Sequence, residues 1–236
     1  LPQQWRPKWN SPPASFTAQH SVFAGLAVAC QEGAYYRLIE QQTGISVISN
    51  PRIAMIGSGY WGKNLVRNFH ALGVLHAVCE LDATARAAIV EQFPVPMATD
   101  DYASVLASPD VDAVAIATPA STHGELVRRA LMADKDVFVE KPLCLSESEA
   151  ADLVRLAKQR ERVLMVGHLL WYHPAVTALK QLVSDGELGK VQYIYSNRLN
   201  MGKLRRDENV LWSFAPHDVS IVLGLLGEEP ESIQAS

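Results

Sequence analysis

Three glycines carry the first chemical signal. In Gly57-Ser58-Gly59-Tyr60-Trp61-Gly62 they occupy the first, third and sixth positions, directly after the apolar run Ile53-Ala54-Met55-Ile56. A strand that turns through such a loop into a helix offers an anion its unpaired backbone N–H groups and the positive end of the helix dipole. Gly57 permits the tight turn, Gly59 lets the backbone approach a pyrophosphate, and Gly62 lets the helix pack closely on its strand. Tyr60 and Trp61, between the last two glycines, are expected to contact the same ligand. Glu80 stands 23 residues beyond Gly57, near the spacing of roughly 20 at which an acid accepts hydrogen bonds from an adenosine ribose. A carboxylate there repels a 2′-phosphate. With Asp82 close by and no basic residue adjacent, NAD is expected over NADP, the alternative reading being that Glu80 is a solvated charge at a strand end.

A second group of residues lies further along. Lys141 follows Asp136-Val137-Phe138-Val139-Glu140, which places it just past the carboxyl end of a buried strand, where open α/β sheets bind their ligands. Thr118-Pro119 ends another apolar run, and the extended backbone that precedes a proline can meet a dinucleotide from the cofactor side of the cleft. His123 fits either a position near the nicotinamide or its ribose, or a structural hydrogen bond. His168 and His173 flank Trp171 and Tyr172 without a carboxylate at metal-ligand spacing, so they read as pocket lining and no metal is expected. Arg198 and Asn200 suit a diphosphate or carboxylate on a substrate, or else a solvated basic edge. No nucleophile elbow and no Walker lysine is present, which disfavours acyl and phosphoryl transfer.

These groups need a scaffold to bring them together. From Arg52 onward short apolar runs alternate with stretches of helical period, the mark of βαβ units on a parallel sheet. Strands are expected at 52–57, 75–80, 111–118, 136–140 and 162–166. Helices are expected around Leu65, Phe69 and Leu72, around Leu126, Ala130 and Ala133, and around Ala150, Leu153 and Leu156, each set an apolar stripe at helical spacing. Ser146 and Glu149 form a capping-box pattern at the start of the last of these. After Pro174 come a helix to about Val183, a turn at Asp185-Gly186 and a strand at 190–197. Residues 1–50 are an extension of unknown role, with an amphipathic helix expected near 20–42. Residues 51–170 are the nucleotide-binding domain, and 171–236 begin a second domain.

Composition sets the outer bounds. The 236 residues carry a net charge of −4, with 48% hydrophobic and 19% charged side chains, an ordinary globular balance with no basic run to meet a phosphate backbone. Nucleic acid is therefore not an expected partner. No apolar stretch approaches the roughly 20 residues needed to cross a bilayer. The three cysteines, Cys30, Cys79 and Cys144, lie too far apart for a disulfide framework or structural zinc and read as reduced core residues, in keeping with a cytoplasmic location.

Taken in order, the glycine loop, Ala117-Thr118-Pro119-Ala120-Ser121-Thr122-His123, Val139-Glu140-Lys141-Pro142, Gly167-His168 and Ala215-Pro216-His217-Asp218 resemble the Gfo/Idh/MocA oxidoreductase family over residues 52–236. Tyr195-Ser196-Asn197-Arg198-Leu199-Asn200 and Leu211-Trp212-Ser213-Phe214 look most like its nucleotide-sugar branch, the UDP-N-acetylglucosamine and -uronate 3-dehydrogenases. The resemblance implies a Rossmann doubly wound parallel sheet followed by an α+β open-sheet domain, here incomplete because relatives continue for roughly a hundred residues more. It implies NAD as cofactor, with Glu140 among its contacts. Lys141 and His217 would be the catalytic pair and would also touch substrate, with His168, Arg198 and Asn200 as further substrate contacts. The reaction would oxidise a secondary hydroxyl of a sugar, most suitably a nucleotide-linked one, in a protein expected to be a homo-oligomer at full length. Ser213 stands where the family often has Asp. A catalytically silent NAD-binding regulator and a polyol or aldose dehydrogenase remain as alternatives.

Overall fold

The computed structural model describes residues 51–197 and 210–234. Strands β1 (Ile53–Ile56), β2 (Leu75–Cys79), β3 (Met97–Thr99), β4 (Ala113–Ile116), β5 (Asp136–Val139) and β6 (Leu164–Val166) form one sheet in the order β3-β2-β1-β4-β5-β6. Every pairing is parallel. Helices connect them: α1 (Gly62–Ala71), α2 (Ala83–Gln92), α3 (Tyr102–Ala107), α4 (Ala120–Met132) and α5 (Glu147–Gln159). This is the doubly wound Rossmann arrangement, and its strand order reverses between β1 and β4, the crevice where such sheets bind ligands.

The sequence explains this order locally. β1 and β4 are buried along their whole lengths, as continuous apolar strands must be when helices cover both faces. α1 buries Leu65, Val66 and Phe69, and α4 buries Val127, Ala130 and Leu131. Each such large side chain contributes about 1.5–3 kcal/mol when fully removed from water. Phe69 of α1 meets Phe138 of β5 edge to face, with ring centroids 6.5 Å apart. At the foot of the sheet the Arg52 guanidinium and main-chain N–H both donate to Asp112, joining the starts of β1 and β4. The Arg52 hydrogen bond, working against partial burial, holds the Asp112 carboxyl below its ordinary range.

Several expectations need correction. β3 and helices α2 and α3 stand outside the expected elements: β3 and α3 are short, and α2 lacks an apolar stripe. β3 has three residues at the sheet edge, none of them fully buried, and α2 buries only Ile89. Asp82 caps α2 by accepting from the Ala85 N–H at 2.7 Å, and Asp101 caps α3. The expected strand at 190–197 is irregular: no described strand pairs with it, and an isolated extended segment leaves its backbone groups to solvent. Beyond β6, a 3-10 turn (Leu169–Tyr172) leads to α6 (Pro174–Ser184), and α7 (Val210–Leu226) follows later. Asp218 lies inside α7 and accepts from Ser196 Oγ at 2.9 Å. The helix expected near 20–42, together with Arg198, Asn200 and the Ser213 side chain, lies outside the described residues.

Candidate active site

The glycine loop fits a dinucleotide at each of its three positions. Gly57 has φ +82°, a conformation that disfavours any Cβ, and a Cβ there would stand 2.9 Å from Thr118 Cγ2 at the end of β4. A Cβ on Gly62 would collide with the Gly57 carbonyl oxygen, so this glycine sets the close packing of α1 on β1. A Cβ on Gly59 would meet nothing within 4 Å. That position faces open space at the amino end of α1, where a pyrophosphate would lie against the N–H groups.

Glu80 follows β2 and is held in place from the same loop. Its Oε2 accepts from the Ser58 N–H at 2.7 Å and Ser58 Oγ at 3.0 Å, and its Oε1 from the Asp82 N–H at 3.1 Å. Burial pushes its pKa up, but these donors outweigh burial and keep the carboxyl below its ordinary range. A carboxylate has about four acceptor positions, so Glu80 retains capacity for ribose hydroxyls. Asp82 is committed to the α2 cap, which leaves Glu80 as the acid facing the site. The sequence reading that no basic residue adjoins Glu80 does not hold in three dimensions. Arg86, one turn into α2, donates to the Glu80 carbonyl oxygen and pairs with Asp100 at 3.5 Å.

On the other side of the crevice, Trp61 is 44% exposed yet donates its indole N–H to Glu140 Oε1 at 2.6 Å. Glu140 ends β5 and is only 9% exposed. Burial raises its pKa, against the opposing effects of the Trp61 bond, the Lys141 N–H and the Lys141 charge. Gly167 makes room for it, since a Cβ there would stand 3.1 Å from the Glu140 carboxyl carbon. The glycine loop, β5 and the end of β6 thus meet at one carboxylate. Trp61 was expected to contact the cofactor, but its role as a donor to Glu140 is visible only in the fold. Tyr60 is 69% exposed at the mouth of the loop, with Lys63 Nζ 5.9 Å from its ring centroid.

Lys141 and Pro142, joined by a cis peptide bond, follow Glu140 at the carboxyl edge of the sheet. His168 lies near enough that the Lys141 charge, after burial, helps lower its pKa, so its imidazole is held neutral. Its Nδ1 is buried without a hydrogen-bond partner. His217 sits half-buried on α7, and α7 packs against the 3-10 turn that directly follows His168. A Cβ on Gly224 would overlap the Trp171 ring, so this glycine seats α7 on that turn. His123, by contrast, is only 1% exposed and lies beneath the Thr118-Pro119 loop. Its Nδ1 is 2.7 Å from the Pro142 carbonyl oxygen and its Nε2 is 2.9 Å from that of Thr118. Of its two sequence readings the structural hydrogen bond is the one present. Thr118 Oγ1 pairs with Thr122 Oγ1 at 2.7 Å, and Thr122 also donates to the Pro119 carbonyl, closing the turn into α4. Among the described residues no cluster of His, Cys, Asp and Glu is arranged to hold a metal, and no helix is long and apolar enough to cross a membrane.

Comparisons with known proteins agree with this fold. Residues 51–168 match the family model described as an oxidoreductase family with an NAD-binding Rossmann fold. Over 185 residues the chain is 32% identical to UDP-N-acetylglucosamine 3-dehydrogenase of Acidithiobacillus ferrooxidans, a match covering 78% of this chain and 57% of that protein. It is 28% identical to inositol 2-dehydrogenase of Rhizobium meliloti, covering 78% of this chain and 58% of that protein. Scyllo-inositol dehydrogenase of Lactobacillus casei, solved with bound NAD(H) and scyllo-inositol, shares the fold at TM-score 0.67 and 19% identity, over 77% of this chain and 57% of that one. The chain therefore spans a little over half the length of these relatives. With its glycine loop, its Glu-Lys-Pro turn and this match over its nucleotide-binding sheet, the chain belongs to the Gfo/Idh/MocA family of oxidoreductases.

Proposed function

We propose that the protein uses NAD to oxidise a secondary hydroxyl of a carbohydrate, most suitably the sugar of a nucleotide sugar. The observation that supports this reading is the glycine loop, with open space at Gly59 and the Ser58-held carboxylate of Glu80, joined through Trp61 to Glu140, the residue before Lys141. Bound NAD would supply the hydride acceptor. Gly57, Gly59 and Gly62 would seat its pyrophosphate, with Tyr60 and Trp61 beside it. Glu80 would accept from its adenosine ribose, and Thr118, Pro119 and Glu140 would border its nicotinamide half.

The substrate hydroxyl then needs two polar partners at one oxygen. The Lys141 ammonium holds that oxygen as negative charge develops on it, and the His217 imidazole takes the proton. His168, kept neutral, hydrogen-bonds a neighbouring hydroxyl, and Arg198 and Asn200 meet the more distant part of the substrate. The region from residue 171 begins the domain that closes over the sugar and makes the contacts of a homo-oligomer. Similarity to UDP-N-acetylglucosamine 3-dehydrogenase supports the nucleotide sugar. A second reading, a cyclic polyol as substrate, draws on the inositol 2-dehydrogenase relative.

The test is to supply the full chain with NAD and, in turn, UDP-sugars, free aldoses and inositols, while following absorbance of reduced nicotinamide. Turnover with a UDP-sugar is expected, abolished by K141A or H217A with NAD affinity retained. Turnover with inositols alone selects the second reading, and no turnover with any class while NAD binds overturns both.

A further inference from the structure

His123 is too deeply buried to reach a ligand, yet it touches the chain beyond the ends of two strands. It stands in the first turn of α4, and its ring nitrogens face two backbone carbonyls from different parts of the sheet. Thr118 closes the end of β4, and Pro142 follows Lys141 beyond β5. Carbonyl oxygens only accept, so the ring must donate to them. As either neutral tautomer it donates to one carbonyl, and as the imidazolium to both. The Thr118-Pro119 loop is also closed on itself through Thr122, so the bond to Pro142 is what His123 adds across to the next strand. Pro119 occupies the cap position of α4 without a side-chain cap bond, and Pro142 has no N–H with which to hold its own turn.

We infer that His123 is a positioning residue for Lys141, its Nδ1–H donating to the Pro142 carbonyl and fixing the turn that aims the ammonium into the crevice. This rests on the reading of Lys141 as the group that holds the substrate oxygen. The strut ties the Lys141 turn to the Thr118-Pro119 loop, so the ends of β4 and β5 keep one spacing. A displacement of about 1 Å at a reacting group costs on the order of a hundredfold in rate, which is the scale on which loss of such a strut acts.

Two substitutions separate the two contacts. In H123N the side-chain amide takes the place of Nδ1 and keeps the tie to Pro142. In H123Q it takes the place of Nε2 and keeps only the local tie to Thr118. In the full chain, H123N is expected to keep kcat within about threefold of the parent, and H123Q to lose about tenfold to a hundredfold, with NAD affinity unchanged in both. The rate at which an amine-directed acylating reagent labels Lys141, read by mass spectrometry without cofactor or substrate, is expected to change in H123Q and not in H123N. Equal effects of the two substitutions on labelling and kcat overturn the inference. Should either variant fail to fold, 15N-resolved spectra of the unaltered protein decide. A proton on His123 Nδ1 is required, and an unprotonated Nδ1 overturns the strut. Full turnover in K141A would instead overturn the assignment of Lys141, and leaves the labelling result to judge the strut.

Discussion

Glu80 shows how little of a residue's role is visible in its own letter. Its spacing from the glycine loop marks it as a ribose contact, but its geometry comes from Ser58, whose N–H and hydroxyl aim the carboxylate. The neighbouring Arg86 makes the cofactor preference depend on this one acid. We expect E80A to weaken NAD binding about tenfold, by loss of a charge-assisted hydrogen bond. It should also shift the NADP-to-NAD affinity ratio toward NADP, because the carboxylate that repels a 2′-phosphate is gone while Arg86 stays beside residue 80. Fluorescence titration with both nucleotides checks this, and an unchanged ratio rules out Glu80 as the selector. Trp61 and Glu140 give a pH-dependent counterpart. Burial raises the Glu140 pKa, so its ionisation costs stability as pH rises through the folded value, and the Trp61 N–H limits that cost. W61F is therefore expected to lose about 1–2 kcal/mol at neutral pH, the lower part of the range for a bond to a charged group because the indole is half exposed. The deficit should shrink at pH values below the ordinary carboxylate range, where Glu140 is protonated in both states. Urea unfolding at the two pH values measures it.

The helices and strands supply rigidity through contacts that leave no space for side chains. Gly62 holds α1 against β1, and G62A must push the helix off its strand because the obstacle is backbone. A loss of about 1–3 kcal/mol, typical of overpacking, is expected together with weakened NAD binding. Thermal melting and titration test the two effects together. At α5, half of the capping box forms. Ser146 Oγ accepts from the Glu149 N–H at 3.4 Å, while the Glu149 carboxylate lies against Gly124 of α4, where the missing Cβ admits it. S146A is expected to cost about 0.5–1 kcal/mol, the lower end for a helix cap, without changing nucleotide affinity. Periodicity disclosed α1, α4 and α5 because each buries a long apolar stripe. It missed α2, which is held by the cap Asp82 and buries only Ile89, and α3, whose six residues are too few to show a stripe although Tyr102 and Val105 are buried.

At the scale of the fold, a ligand bound across the β1/β4 crevice joins elements distant in the sequence, so it should stabilise the nucleotide-binding sheet as a unit. At a free NAD concentration 100 times its Kd, stabilisation of about 2.7 kcal/mol is expected, seen as a rise in Tm of the full chain. NADP at the same concentration should produce a smaller rise. A Tm indifferent to NAD would remove the basis for the glycine loop as a pyrophosphate cradle.

Sequence alone determined the parallel sheet, its nucleotide-binding turn and the order of the motifs along it. These depend on hydrophobic period, on glycine's missing Cβ and on short spacings, all of them local properties of the chain. Tertiary structure decided what lies across the crevice. It placed Arg86 beside Glu80, bonded Trp61 to a carboxylate 79 residues away, and turned His123 from the cleft toward two carbonyls. Such pairings follow from how the strands are ordered in space, and nothing in the spacing of Trp61 and Glu140 announces that β1 and β5 end at the same edge.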